Sequence, residues 1–149
     1  MNFETKKYPD KLKGFLESLQ LFESNNDRVN FLIDYAEQFR PVPESIATKP
    51  YPDNKRVEFC ESGAYVWTLK EGDRYKFFFD VMNPQGISAK SVCAIFEETL
   101  NGETSEKILS VPDDFVFDVF GQNLSMGKNL GLTNILAKMK SDVRKLQNK

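Results

Sequence analysis

Two cysteines, Cys60 and Cys93, are the side chains of this 149-residue sequence best suited to covalent chemistry, and there is no histidine to assist them. Without imidazole, Ser-His-Asp and Cys-His nucleophile pairs cannot form. His-ligated zinc, haem and di-iron sites are excluded as well, and two cysteines are too few for a four-cysteine zinc site or a self-held iron–sulfur cluster. Acid–base work would fall to Asp, Glu, Lys, Tyr, Cys or water. No resident cofactor or metal is expected.

The two thiols differ in setting. Cys93 lies on an apolar stripe with Ala89, Val92, Phe96 and Leu100, where a cysteine serves as a small buried hydrophobe. Cys60 stands in RVEFCESGAYVW, where Glu61-Ser62-Gly63 interrupts an alternating pattern and signals a loop or bulge. A reactive thiol must ionise, and at a pKa of about 8.5 only a few per cent does so near neutral pH. Each unit of lowering takes about 1.4 kcal/mol of selective stabilisation. Glu58 and Glu61 oppose it, so Arg56, Lys55 or a cation from elsewhere must supply it. A Cys60–Cys93 bridge stays open on spacing alone, but two cysteines do not make a secreted disulfide framework.

Regular elements must hold these residues. Pro9-Asp10 starts an amphipathic helix with Leu12, Phe15, Leu16 and Leu19 inward. Asn25, Asn26 and Asp27 cap a second, DRVNFLIDYAEQF, with Val29, Leu32, Ile33 and Ala36 as its stripe and Tyr35 and Phe39 widening it. Four prolines then make Gln38 to Lys55 an extended, turn-rich connection. Val57–Lys70 and Arg74–Val81 read as strands around a Glu71-Gly72-Asp73 hairpin. A third strand is expected around Arg56–Glu61, because two alone are marginal. After the Asn83-Pro84-Gln85-Gly86 turn come the Cys93 helix, ended by Asn101-Gly102, and a short helix from Thr104 through Leu109. Another starts at Pro112-Asp113-Asp114, with Phe115, Val119 and Phe120 inward. A last helix follows LSMGKNLGL, with Leu132, Ile135, Leu136, Met139 and Val143 in register. Helices, then strands, then helices predict an α+β fold, an antiparallel sheet of about three strands covered by helices on one side.

Composition bounds the rest. The length predicts one domain over 1–149, and 40% hydrophobic with 28% charged residues is ordinary globular usage. Twenty basic against 22 acidic residues leave a net charge of −2, which gives no general pull toward nucleic acid or anionic lipid. The N-terminal stretch carries charges where a signal peptide needs an apolar run, and no membrane span is expected. A cytoplasmic location follows as the simplest expectation, where thiols stay reduced.

The ordered set DRVNFLIDYAEQF, a Pro-rich loop, RVEFCES before an aromatic strand, NPQGISAKSVCAIFEETLNG, SVPDDFVFDVFG and LSMGKNLGL resembles the SufE-like family of sulfur acceptors for cysteine desulfurases (the Fe–S metabolism-associated domain) over roughly Pro9 to Arg144. The resemblance implies a SufE-like α/β sandwich. It also implies that Cys60 accepts sulfane sulfur from the persulfide of a SufS-like desulfurase, activates that enzyme and passes sulfur to an iron–sulfur scaffold complex. Pyridoxal phosphate would then belong to the desulfurase, and this chain would be a carrier, monomeric or weakly dimeric, and not itself an enzyme. The implied loop shelters the cysteine until docking, with Glu61-Ser62-Gly63 as its mobile part. Two departures stand out. Glu61 replaces the Gln that often follows the cysteine, and Lys128, in GKNLGL, takes the position where many members place an Arg. Glu61, Ser62, Arg56 and Lys128 are thus candidate supports of the thiolate or its loop. A desulfurase-binding regulator that carries no sulfur is the alternative; a peroxidatic redox thiol fits poorly with the acidic flanks.

Overall fold

The computed structural model describes residues 6–122 and 124–148. Residues 1–5, part of the N-terminal stretch read above as lacking a leader, lie outside the described residues. Helix α1 (Asp10–Gln20) and helix α2 (Asn25–Glu37) come first. Strands β1 (Ala64–Glu71) and β2 (Arg74–Val81) follow, then α3 (Ile87–Leu100), β3 (Glu103–Thr104), α4 (Ser105–Leu109), α5 (Phe115–Phe120) and α6 (Met126–Gln147). The sheet is antiparallel in the order β1-β2-β3, which is the α+β architecture expected.

Local chemistry explains the helix starts. The hydroxyl of Ser24 accepts from the Asn26 and Asp27 amides, Thr104 caps α4 and Ser125 caps α6, each satisfying donors that a first turn leaves orphaned. Between β1 and β2, Glu71 pairs with Arg74. The connection is therefore Gly72-Asp73, with Gly72 at a φ of 65° as a tight primed turn demands.

One sheet face carries Ala64 and Val66 from β1 and Tyr75, Phe77, Phe79 and Val81 from β2, all buried. Helices α3 and α6 cover that face, and α1 and α2 pack behind α3. Helix α3 is therefore buried nearly all round, and its Ser91 and Thr99 hydroxyls donate to the Leu32 and Ile95 carbonyls, as buried hydroxyls must. On the far face, Tyr51 of the Pro-rich connection packs edge-on against Tyr65 and Trp67, and its hydroxyl donates to Asp80 at 2.6 Å. The Tyr8 hydroxyl and Lys6 ammonium bind Asp118, tying the N-terminal segment to α5.

Four expectations need correction. The third strand is not Arg56–Glu61; Arg56 makes a single bridge to Tyr65, and β1 begins only at Ala64. The ladder fails there because Phe59 and Gly63 both adopt left-handed φ, 56° and 66°, which no strand can hold. The outer edge of β2 is taken instead by Glu103–Thr104 and, further along, by the Val42 amide bonding the Phe79 carbonyl. In α2, Val29 is exposed while Phe31 and Tyr35 pack against the core. The α2 cap is Ser24, with Asn25, Asn26 and Asp27 already in the helix, and α6 begins at Met126, so MGKNLGL is its first two turns and not a lead-in, because the Ser125 hydroxyl caps it there.

Candidate functional site

Residues 58–63 form a loop closed at its neck by the Val57 amide donating to the Ala64 carbonyl at 2.9 Å. Val57 and Ala64 are both buried, so the neck is anchored in the core. Cys60 sits at the turn of this loop, only 7% exposed, at the end of the sheet where α3 and α6 begin. Both Cys60 and Cys93 are free thiols, so the bridge left open by their spacing is not formed.

Close approach of glycines makes the seat. A Cβ on Gly131 of α6 would lie 3.2 Å from the Cys60 Cα and 3.3 Å from the Phe59 carbonyl oxygen. A Cβ on Gly86 would meet the Ser62 side chain at 2.9 Å. The loop thus rests on bare backbone at both places. Its second limb is fastened to the end of β2, where the Met82 and Asn83 amides donate to the Gly63 and Ser62 carbonyls. Its first limb is held by the Asn134 side-chain amide, which donates to the Glu58 carbonyl at 2.9 Å. Phe59, between them, is left-handed and 72% exposed. That backbone costs a residue with a Cβ about 1–2 kcal/mol.

Cys60 lines two concavities. The larger, about 1010 Å³, runs along α6 past Leu130, Asn134 and Lys138 and is walled opposite by Asn54, Arg56, Val57, Glu58 and Phe59. The smaller, about 260 Å³, lies between the starts of α3 and α6 and is lined by Ser62, Asn83, Ile87, Ser88 and Lys128. Glu61 and Gly127 border both. The predicted residues are therefore split: Arg56 lines the larger concavity, Ser62 and Lys128 the smaller, and Glu61 both. Exposed apolar side chains border these concavities, Phe59 and Leu130 the larger and Ile87 the smaller; Met82, beside Gly63, and Met126, next to Gly127, are exposed too. Clustered exposed apolar side chains of this kind mark contact surfaces.

Cys93 is different. It is fully buried, and burial first, then the neighbouring Cys60 and the Glu97 and Asp80 carboxylates, push its thiol well above the ordinary range. It stays protonated and out of reach. Among the described residues no group of three or more Cys, Asp or Glu is placed to hold a metal ion, and no helix is long and apolar enough to cross a membrane.

Reading the sequence missed Phe59, Leu130 and Asn134. Nothing in their types marks them. Gly131 stands in LSMGKNLGL, where nothing in the string shows its partner across the fold.

An antiparallel sheet with one helical cover, and a sheltered thiol in a closed loop at its end, define a small α+β protein built around one cysteine. The model of the Fe–S metabolism associated domain, SufE, matches residues 13–143. The chain belongs to that family. A solution structure of a hypothetical protein from Thermus thermophilus is similar in fold, with a TM-score of 0.74 and 26% identity, covering 96% of this chain and 100% of that one. No curated protein sequence matches the chain. Association with Fe–S metabolism follows from the family.

Proposed function

We propose that this chain takes sulfane sulfur from the persulfide of a cysteine desulfurase onto Cys60, stimulates that enzyme by clearing its product, and hands the sulfur to an iron–sulfur scaffold complex. The observation that carries the reading is the position of Cys60, a sheltered thiol lining two concavities that the exposed side chains of Phe59, Ile87 and Leu130 border. A partner can bury those side chains and reach the loop at once.

The chemistry balances without metal or redox partner. The Cys60 thiol gives its proton to water, and the thiolate attacks the outer sulfur of the donor Cys–S–SH. A new S–S bond forms on Cys60 as the donor's breaks, the transferred sulfur keeps its proton, and the donor cysteine leaves as thiolate. Arg56 lines the concavity on one side of Cys60, Lys128 that on the other, and Glu61 borders both. A docked partner can add positive charge beside the reacting sulfurs, where anionic sulfur is favoured by a nearby cation. Pyridoxal phosphate stays with the desulfurase. A cytoplasmic setting, which keeps both thiols reduced, suits the chemistry.

The exposed apolar side chains would serve a regulator equally well, and turnover separates the two readings. Wild type is expected to raise desulfurase turnover with cysteine several-fold, and Cys60→Ala to abolish the gain while Cys93→Ala keeps it. Full stimulation by Cys60→Ala would establish a regulator that carries no sulfur.

A further inference from the structure

The loop bearing Cys60 is held unequally. Its Gly63 limb is tied by the Met82 and Asn83 main-chain amides to the end of β2, a part of the core sheet. On its Glu58 limb, among the described residues, the hydrogen bond from outside the loop is the one donated by Asn134 Nδ2 to the Glu58 carbonyl. Asn134 lies one helical turn beyond Gly131, on the face of α6 that meets the loop. Between that latched carbonyl and Cys60 stands Phe59, left-handed and projecting its ring to solvent.

We infer that Asn134 is a positioning residue, a latch whose side-chain amide keeps the Glu58 limb on α6 and Cys60 below the surface until a partner engages the Phe59 ring. Breaking this one side-chain bond frees Glu58 and Phe59, while Cys60 keeps the hydrogen bond its carbonyl accepts from the Gly63 amide and the opposite limb stays fastened. Relaxation of Phe59 out of its left-handed conformation then favours the open loop. Opening is therefore a swing of residues 58–60 between the Val57 neck and the Gly63 amide that holds the Cys60 carbonyl, rather than a movement of Glu61-Ser62-Gly63, whose carbonyls at Ser62 and Gly63 are tied to the end of β2. The inference rests on the proposed role of Cys60 only for its purpose; the latch itself is a property of the free protein.

The test uses the full chain alone, with iodoacetamide as probe and mass spectrometry to follow Cys60 and Cys93 separately. Cys93 is fully buried, so its alkylation reports opening of the whole core. Asn134→Ala removes the side chain, and Asn134→Leu keeps its bulk without the donor; both residues suit a helix. A hydrogen bond of ordinary net strength corresponds to an increase of about three- to tenfold in the open fraction. Cys60 alkylation is expected to rise by that factor in both variants while Cys93 does not change. An unchanged Cys60 rate, or a parallel rise at both cysteines, would overturn the latch. Sulfur loading by a desulfurase, measured on the same variants, separates the two claims. A latch that fails this test leaves Cys60 free to carry sulfur, and a Cys60 that never loads leaves the alkylation result standing.

Discussion

At the scale of single residues, Phe59 and Cys60 divide two tasks. Cys60, the proposed acceptor, is sheltered; its neighbour is exposed and bears the backbone strain. A large aromatic ring held out beside a buried thiol is the kind of anchor that dominates binding at an interface. Phe59→Asn keeps a residue that tolerates left-handed φ and removes the ring. The melting temperature is expected to stay level or rise slightly, while affinity for the desulfurase falls about tenfold or more by calorimetric titration. Undiminished affinity would remove Phe59 from the interface. The thiol was legible because only two cysteines exist and one sits where the alternation breaks. Phe59 was not, because a left-handed backbone announces itself in sequence through Gly or Asn, and an aromatic between Glu and Cys reads as a strand residue.

At the scale of elements, the site depends on α6 lying close under the loop. Gly131→Ala sets two effects against each other. Alanine favours the helix by about 1 kcal/mol, but its Cβ would press on the Cys60 Cα and the Phe59 carbonyl. The loop is the softer partner, so it moves. Thermal stability is expected to hold or rise, and Cys60 alkylation to increase with Cys93 unaffected; an unaltered Cys60 rate would show that the close approach does not seat the loop. The helices and the β1–β2 hairpin were readable from period and turn chemistry. The third strand was misplaced for a physical reason. RVEFC has strand-like composition, but its fate was decided by tertiary contacts with α6 and the end of β2. The strand that forms, Glu103–Thr104, is too short to show any periodicity. Val29 likewise fits the α2 stripe, yet the helix leaves it exposed and turns Phe31 inward beside the expected Tyr35.

At the scale of the whole molecule, alkaline pH should loosen the fold at identifiable points. Burial and the Asp80 carboxylate push Tyr51 up to about 12, burial and Glu98 do the same to Tyr35, and burial with Asp118 raises Tyr8. Burial raises Cys93 too. In each case the folded state holds its proton more tightly than the unfolded state, so stability is complete below the unfolded pKa and falls as pH rises through the folded one. The loss should begin near pH 9 with Cys93 and continue from about pH 10 to 12 with the tyrosines. Denaturant midpoints across this range should fall, and Tyr51→Phe should lessen the later part; midpoints flat to pH 11 would contradict these placements. Family membership was legible across nearly the whole chain because the motifs come in order, whereas the two-sided access to Cys60 exists only once α3, α6 and the loop meet. The central claim, that Cys60 is the sulfur acceptor, is tested most directly by incubating the protein with a cysteine desulfurase and cysteine, then measuring intact mass without reductant. One added sulfur on wild type and on Cys93→Ser, mapped to the Cys60 peptide, with none on Cys60→Ser, is the predicted result. Equal loading of Cys60→Ser, or none on wild type, would contradict the account.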